Sequence, residues 1–459
     1  MRIGLLIVNA VTTLLVFLLG RRLMGRYSAL AAAASFAFLS VGQPVLGPFA
    51  HATHFVILFA AAGALALLKA IETDRRAWLI TSGALFGLAL LMKQHGAFFA
   101  LFAVAYLAWH QYRVELGSLR RFVLRAGMLL LGVAVPLAVT VVVLARAGVL
   151  GRFWFWTFTY ASKYVTQVPL PAGLGIFLSK LGAIAGASAL LWTMAAVGLI
   201  GVWRNDHRRG SRTFLLGFLL ASFLAMVPGL YFRQHYFILA LPAVALLAGV
   251  ALDWVKKLLL KGQHSAAGVI VPLSMFVIAF GGAVLQQEFF LFERRPEDVS
   301  RATYGRNPFS ESVEIAAYIK ANTDEADRIA VLGSEPQIYF YANRLSATGH
   351  IYMYGLMEPH SYAEQMQREM IDEVERARPK FLVQVAVPES WLRQPGSAQV
   401  VFEWMPRYVK ENFDLVGVAE IPSSGTTRYY WEAQAAGYTL RSQPAVLLYK
   451  RKGIAGAAD

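Results

Sequence analysis

The stretch LYFRQHYFILALP, residues 230–242, places Arg233, Gln234 and His235 between two long apolar segments. Hydrocarbon solvates charge poorly, so ionisable residues inside membrane segments are costly and are functional candidates. Tyr236 follows the triplet and adds an aromatic ring with a polar tip. The apolar flanks predict membrane-crossing helices, and the triplet predicts a polar site where two of them end.

A second stretch, LLMKQHGAFF at residues 90–99, repeats the order basic residue, Gln, His as Lys93, Gln94 and His95. It separates two further apolar segments so narrowly that they form a tight helical hairpin or one bent pair. The repetition indicates that two distant parts of the chain contribute to one site.

The composition is that of a membrane protein, with 57% hydrophobic and 15% charged residues. There is no cysteine, which excludes disulfides, thiolate nucleophiles and cysteine-held metal clusters. The formal net charge is +15, but residues 1–287 carry 24 Lys and Arg against five acids, while the remainder carries 19 against 23. This distribution favours basic loops that orient helices, and it disfavours nucleic acid as a partner.

The fold class predicted is an α-helical polytopic membrane domain followed by a small external α/β domain. A bilayer core needs roughly 17 to 25 mainly apolar residues per helix. On that measure residues 1–287 form the membrane domain, residues 288–310 a linker and residues 311–459 the α/β domain. The predicted spans are 3–19, 28–47, 54–71, 77–92, 96–112, 122–145, 176–203, 213–231, 235–252 and 266–287.

Orientation follows from the loops, because Lys and Arg are enriched on the cytoplasmic side. The loops after alternate spans, beginning with the first, hold 16 basic residues: Arg21, Arg22, Arg26, Arg75, Arg76, Arg113, Arg120, Arg121, Arg125, Arg204, Arg208, Arg209, Arg212, Lys256, Lys257 and Lys261. The opposite loops hold five: Lys93, Arg146, Arg152, Lys163 and Arg233. The asymmetry predicts a multi-pass inner-membrane protein with both triplets and the C-terminal domain on the outer, periplasmic side.

The predicted outer loops also contain His51 and His54, in GPFAHATHF, and the aromatic segment RFWFWTFTYASKY at residues 152–164. No acid of residues 1–287 falls there. A basic, aromatic-fringed cluster at a bilayer surface suits the anionic head group of a lipid whose tail stays in hydrocarbon. The simpler alternatives are basic side chains that snorkel to the interface, histidines that cap helices and an interfacial aromatic belt.

The tail alternates helix and strand. Short apolar runs at 328–334, 380–387, 414–421 and 445–450 predict strands, and the spacing of Tyr362, Met366, Met370 and Val374 predicts an amphipathic helix. VLGSEPQIYFYANR lacks the glycine spacing of a nucleotide site, so Ser334 is interpreted as a helix N-cap. Its neighbours Tyr339, Tyr341, Arg344, His350, Tyr352 and Tyr354 form either an acceptor-facing surface or part of the core.

LMKQHGAFF, RQHYFILALPAVALLAG and RIAVLGSEPQIYFYANRLSATGHIYMY together resemble the GT-C class of polyprenyl-phosphate-dependent membrane glycosyltransferases. The nearest types are family 39 protein O-mannosyltransferases and lipid A aminoarabinose transferases. The resemblance implies hexosyl transfer from a polyprenyl-phosphate carrier to a lipid, glycan or protein acceptor in the cell envelope, with membrane lipid as a further partner. It implies that Lys93 and Arg233 bind the donor phosphate and leaves a divalent metal open.

The same resemblance implies auxiliary roles for the residues around the two basic positions, namely Gln94, His95, Gln234, His235, Tyr236, His51 and His54. Thr53 and His54 stand where relatives often show a Thr-acid pair. The family's catalytic Asp, a general base, lies in a first external loop, which we expect upstream of Met1. The alternatives are that the chain is inactive or that it uses another base. Two rival functions stay open: a polysaccharide ligase using basic residues and His, and a non-catalytic lipid-binding or lipid-moving protein.

Overall fold

The computed structural model describes residues 2–115, 118–162, 168–204, 209–260, 267–293, 295–422, 426–440 and 444–453. Lys163, Arg208 and Lys261, three of the predicted loop cations, lie outside these ranges. The chain divides into two compact units, Met1–Glu293 and Arg294–Asp459. They are called here the membrane unit and the α/β unit.

The described membrane unit is helical. Its α-helices are α1 (Arg2–Leu23), α2 (Arg26–Leu39), α3 (Ala52–Thr73), α4 (Arg76–Met92), α5 (Ala97–Arg113), α6 (Leu119–Arg146), α7 (Leu150–Trp154), α8 (Leu170–Gly186), α9 (Ala189–Arg204), α10 (Arg209–Met226), α11 (Leu241–Leu260) and α12 (Ala267–Gln286). Three 3₁₀ turns, Gln43–Val45, Gln94–Gly96 and Gln234–Ala240, and two π-helical turns, Phe155–Tyr160 and Phe289–Glu293, lie between or after them.

Five helical segments in the described residues are long and apolar enough to cross a membrane: Ile3–Leu23, Ala52–Thr73, Leu119–Arg146, Gln234–Leu259 and Gly268–Gln286. A bent pair, α8 with α9, raises the number to six, and Arg76–Met92 and Gly210–Met226 are shorter apolar helices. The chain is therefore a multi-pass membrane protein. By this length criterion the described crossings are fewer than the ten spans that hydropathy predicts.

The predicted span 176–203 is not one helix. It breaks between Gly186 and Ala189, where α8 and α9 meet at a bend of 110°. The backbone groups freed by the break are satisfied by side chains of the last apolar helix: Gln286 donates to the Gly186 carbonyl at 2.8 Å, and Gln287 donates to the Ala187 carbonyl at 3.2 Å. Such satisfaction allows a helix to break at membrane depth.

Two other predicted spans have different boundaries. The span predicted at 28–47 ends as α-helix at Leu39 and continues into the 3₁₀ turn Gln43–Val45. The span predicted at 235–252 begins as the 3₁₀ turn Gln234–Ala240 and becomes α-helical only at Leu241. The predicted interruption between α4 and α5 is present, as the 3₁₀ turn Gln94–Gly96.

The acids of the described residues 2–287 are all held by basic side chains of the loops predicted to be cytoplasmic. Arg22 pairs with Glu72, and Lys257 pairs with Asp253 at 3.1 Å. The buried Arg125 joins α6 to both Glu115, at 2.8 Å, and Asp74. Asp206, the fifth predicted acid, lies outside the described residues.

The α/β unit contains helices α13 (Pro296–Tyr304), α14 (Glu311–Ala321), α15 (Gln337–Ala342), α16 (Tyr354–Met357), α17 (Ala363–Ala377), α18 (Pro388–Trp391), α19 (Val400–Asn412) and α20 (Ala433–Ala436). Its strands are β1 (Arg328–Leu332), β2 (Leu345–Ser346), β3 (Phe381–Ala386), β4 (Phe413–Glu420), β5 (Arg428–Trp431) and β6 (Ala445–Arg451). The predicted strands and the amphipathic helix, now α17, are all present. The short β2 and β5 were missed.

The strands form one mixed sheet in the order β2-β1-β3-β6-β4-β5. β1 runs parallel to β2 and β3, and the other pairs are antiparallel. The chain leaves the carboxyl end of β1 towards β2 and leaves the carboxyl end of β3 towards β4. These opposite directions make a topological switch point between β1 and β3.

The structure corrects one interpretation of the segment after β1 and decides another that the sequence leaves open. Ser334 is not an N-cap: its hydroxyl accepts a hydrogen bond from the Met353 amide at 3.0 Å, and α15 begins only after Pro336. Tyr339 and Arg344 are buried and belong to the core. The Tyr339 hydroxyl accepts from the Val331 amide of β1, while Arg344 donates to the Thr323 carbonyl.

Candidate functional site

Lys93 is positioned by the interruption between α4 and α5. It caps the end of α4 with an extended backbone, φ −163° and ψ 141°, and the 3₁₀ turn follows at once. A side chain at Gly96 would place its Cβ 2.4 Å from the Ala89 backbone, so only glycine fits this turn. The close return of the chain onto α4 therefore fixes the position of Lys93.

Arg233 is positioned by a strained loop. Gly229, Leu230 and Phe232 all have positive φ, at 80°, 55° and 39°. Left-handed backbone is unfavourable for bulky residues and persists only where the surroundings enforce it. Phe232 is held by burial and by the Phe177 ring, at a centroid distance of 5.0 Å. The strain leaves Arg233 exposed at the start of the following 3₁₀ turn.

Tyr236 brings the two triplets together. The Lys93 Nζ atom lies 3.9 Å from the centre of the Tyr236 ring, and the His95 ring meets the same tyrosine edge-on at 4.9 Å. Arg233 lies close enough to exert like-charge repulsion on Lys93. Two cations held this close favour an anion between or beside them.

His95 joins the same elements from inside. Its Nδ1 atom donates to the carbonyl of Ala225 in α10, the helix that precedes the Arg233 loop. Because Nδ1 carries the proton, a neutral His95 ring offers its Nε2 atom as an acceptor. This histidine therefore holds two helices together and accepts, rather than donates, at its other nitrogen.

The start of α3 completes the cluster. His51 stacks on His235 with ring centres 4.2 Å apart and planes 8° apart. Three residues further on, the Nδ1 atom of the fully buried His54 lies 2.9 Å from Oδ1 of Asn9 in α1. Both histidines predicted from the GPFAHATHF motif thus belong to the structure around the triplets.

Three buried polar atoms at this helix start have no hydrogen-bond partner among the described residues: Nε2 of His51, Oγ1 of Thr53 and Nε2 of His54. Buried polar atoms are nearly always paired with protein, water or a ligand. Their clustering on one helix turn, beside two cations, marks this end of α3 as part of a polar binding site.

The glutamines of the two triplets differ. Gln94 is exposed and donates to the backbone carbonyl of Thr157, inside the aromatic π-helical turn Phe155–Tyr160. Gln234 is half-buried beside His235. In the aromatic segment Trp154 is 60% exposed, which fits the predicted interfacial belt. The contact with Gln94 ties that belt to the Lys93 turn.

Sequence reasoning missed Asn9 and Gln287. Asn9 is a buried polar residue in an otherwise apolar helix, and that isolation is the signal that could have identified it. Gln287 donates to Ser188 at 3.0 Å and packs beside Pro44 in the turn before α3. Both act on the shape of the site through a neighbour.

No group of three or more His, Asp or Glu side chains that could hold a metal ion occurs within the ranges described. Around the triplets the available metal-binding atoms are imidazoles and one hydroxyl, a weaker set than the His and carboxylate ligands usual for divalent metals. These residues do not fit a metal centre, and no chemical step is assigned to one.

The similarity of the chain to known proteins identifies its fold. Residues 1–145, less than half of the chain, match the family model of dolichyl-phosphate-mannose-protein mannosyltransferases. ArnT from Cupriavidus metallidurans, solved bound to undecaprenyl phosphate, superposes with a TM-score of 0.57 at 15% identity, over 97% of this chain and 83% of that one. The chain has the GT-C glycosyltransferase fold.

The archaeal oligosaccharyltransferase AglB from Archaeoglobus fulgidus, in complex with an inhibitory peptide and a dolichol-phosphate, has the same GT-C architecture. Its TM-score is 0.53 at 15% identity, over 93% of this chain and 62% of that one. The same enzyme complexed with Zn and sulfate gives 0.52 at 15% identity, covering 93% and 61%. The chain spans about three fifths of these archaeal proteins. No protein with a curated description matches it.

Proposed function

We propose that this chain is a glycosyltransferase that moves a sugar from a polyprenyl-phosphate carrier to a lipid, glycan or protein acceptor. The observation that carries the proposal is the proximity of two cations: Lys93 lies over the Tyr236 ring, and Arg233 is near enough to repel it. The solved relatives support the donor class, since ArnT and AglB were captured with undecaprenyl phosphate and dolichol-phosphate. The basic loops support an outer-face site in an inner membrane and a periplasmic α/β unit.

The chemistry follows from the charges. An acceptor oxygen or nitrogen bonds to the anomeric carbon, the bond from that carbon to the phosphate oxygen breaks, and its electron pair leaves with the phosphate. Negative charge therefore grows on the phosphate in the transition state. Lys93 and Arg233 stabilise that charge where it develops, which lowers the barrier more than it strengthens ground-state binding.

The histidines near Lys93 and Arg233 have two roles, one towards the phosphate and one towards the sugar. His51 lies beside the cations, where its unpartnered Nε2 atom is available to the head group. His95 directs Nδ1 at a backbone carbonyl of the protein. In its neutral form it offers Nε2 as an acceptor, which matches a sugar hydroxyl rather than a phosphate oxygen.

Transfer also requires a base for the proton of the acceptor. The family resemblance predicts a carboxylate as this base, whereas the ligase-like alternative uses histidine.

The test of the function uses protein in nanodiscs and a labelled polyprenyl-phosphate sugar. Lys93→Ala and Arg233→Ala should each reduce release of polyprenyl phosphate by about a hundredfold, the effect of removing one stabilising group from a developing oxyanion. Arg152→Ala, an exposed cation predicted on the same side, is the matched control and should keep full activity.

Two results would reject the proposal. Unchanged release of polyprenyl phosphate by both Lys93→Ala and Arg233→Ala would show that these residues do not form a phosphate site. Saturable binding of the carrier by the protein, with no release in the presence of acceptor extracts, would identify a lipid-binding protein instead of an enzyme.

A further inference from the structure

The α/β unit contains a cavity of about 550 Å³ outside the carboxyl end of β3. It is an open cavity lined by the end of that strand, by α18 and by the first turns of α19. In open α/β sheets ligands bind outside the carboxyl ends of the strands, and this cavity lies at such an end. The volume lies within the range of small-ligand pockets, about 300 to 1,000 Å³.

The floor of the cavity is aromatic and rigid. Trp391 is buried and donates from Nε1 to the Val385 carbonyl at 2.8 Å, so its ring is fixed against β3. Phe402 of α19 meets that ring at 4.8 Å and is half-exposed. The Arg393 guanidinium lies 4.1 Å from the Phe402 ring centre. The three side chains form a continuous surface.

The position of α18 is fixed from β1 as well. Ser390 donates to Glu335 at 2.7 Å and accepts from the Ser334 amide at 2.8 Å. Leu392, next to the cavity floor, has a positive φ of 49° and is 46% exposed. Its positive φ is the left-handed cap that ends α18, and its exposed side chain adds an apolar surface to the rim.

The polar rim identifies the class of ligand. Glu389 and Arg393 are exposed and carry opposite charges, and Gln384 adds a neutral amide. Arg393 is already bonded to Gln399 and stacked on Phe402, so little of its charge is available for an anion. A balanced rim of carboxylate, amide and guanidinium around an aromatic floor suits a neutral ligand that has many hydroxyl groups and an apolar ring face.

We propose that this cavity binds a neutral saccharide unit. One sugar ring lies against the exposed part of Phe402, beside the ring face that Arg393 covers, and its hydroxyls bond to Glu389 and Gln384. The site is separate from the phosphate chemistry of Lys93 and Arg233, and it rests on the proposed function only in that a transferase with a glycan acceptor would use such a subsite.

The test is saturation-transfer difference NMR on the full chain in nanodiscs, in which no sugar-headed detergent remains. The probes are maltose, cellobiose and mannobiose, each at millimolar concentration. At least one should receive saturation, and Phe402→Ala should weaken its binding about tenfold, the effect of losing one good apolar contact. Glu389→Gln, at an exposed position that leaves the fold intact, should weaken it as well.

Glu403→Gln is the matched control, since Glu403 is exposed on α19 beside Phe402 but does not line the cavity. The inference is overturned if none of the three disaccharides receives saturation, or if both cavity variants bind as the wild type does. Failure here is distinguishable from failure of the proposed function. Lys93→Ala should keep disaccharide binding while losing polyprenyl-phosphate release, and Phe402→Ala should keep the binding of polyprenyl phosphate.

Discussion

Glu335 should make the α/β unit less stable as the pH rises, the opposite of the usual behaviour of carboxylates. Its side chain is 3% exposed, and burial raises its pKa from 4.5 to about 7, although hydrogen bonds from Ser390 and Ser334 act in the other direction. Between these two pH values the folded state holds a proton that the unfolded state has lost. Stability from this group is therefore complete below pH 4.5 and falls as the pH rises through 7.

The magnitude follows from the two pKa values. Each pKa unit corresponds to about 1.4 kcal/mol, so ionising Glu335 costs the folded unit about 3 kcal/mol by pH 8. Glu335→Gln keeps a neutral group that still accepts from Ser390, so the variant should exceed the wild type by about that amount at pH 8 and equal it at pH 4.5. Pulse proteolysis of the full chain in urea, scored on fragments of the α/β unit, measures the difference.

The matched control is Glu403→Gln, an exposed carboxylate whose variant should track the wild type at every pH. A stability difference between Glu335→Gln and the wild type that stays constant from pH 4.5 to 8 would refute the reasoning. A difference that grows towards acid pH would show that Glu335 is ionised in the folded state.

Three further predictions concern the membrane unit. Gly96→Ala should lower thermal stability in nanodiscs and reduce donor binding, because the added Cβ would lie 2.4 Å from the Ala89 backbone. The control is Gly127→Ala, where no atom lies within 4 Å of the added Cβ, and equal thermal stability of the two variants would contradict the tight turn. Arg125→Met should destabilise the fold by about 2 kcal/mol, less than the roughly 3 to 5 kcal/mol lost when a fully buried ion pair is broken, because Asp74 is exposed. Unchanged resistance to urea would show that the ion pairs of Arg125 contribute nothing to stability. Asn9→Leu removes the side chain that holds His54, so it should weaken polyprenyl-phosphate binding, but less than Lys93→Ala does. Equilibrium binding of labelled carrier measures this, and an unchanged affinity would contradict the prediction.

Local signals explain what could be predicted. The apolar runs around the two triplets specify membrane helices because burying backbone and side chains in hydrocarbon leaves few other solutions. The interruption at Lys93 is visible because a charged triplet ends one apolar run and starts another. In the α/β unit the alternation of apolar runs and the four-residue spacing of Met366 and Met370 identify β3 and α17.

Other features depended on partners far along the chain. Hydropathy predicts one continuous span across α8 and α9. The helix breaks there because the carbonyls of Gly186 and Ala187 accept hydrogen bonds from Gln286 and Gln287, about a hundred residues away. Ser334 looks like an N-cap locally, but its hydroxyl is used by Met353. In both places the local sequence favours a different structure, and hydrogen bonds that form only in the folded chain decide the outcome.

The sequence alone determined the class of the protein and its two units, and it predicts which residues meet an anionic lipid head group, because hydropathy and the cost of buried charge are properties of short segments. The tertiary structure decided that Lys93 lies over Tyr236 and that His51 stacks on His235. These two contacts join residues more than a hundred positions apart, and only the packing of whole helices sets those distances. The fold also created the cavity beside Phe402, because it packs α19 against α18 and the end of β3.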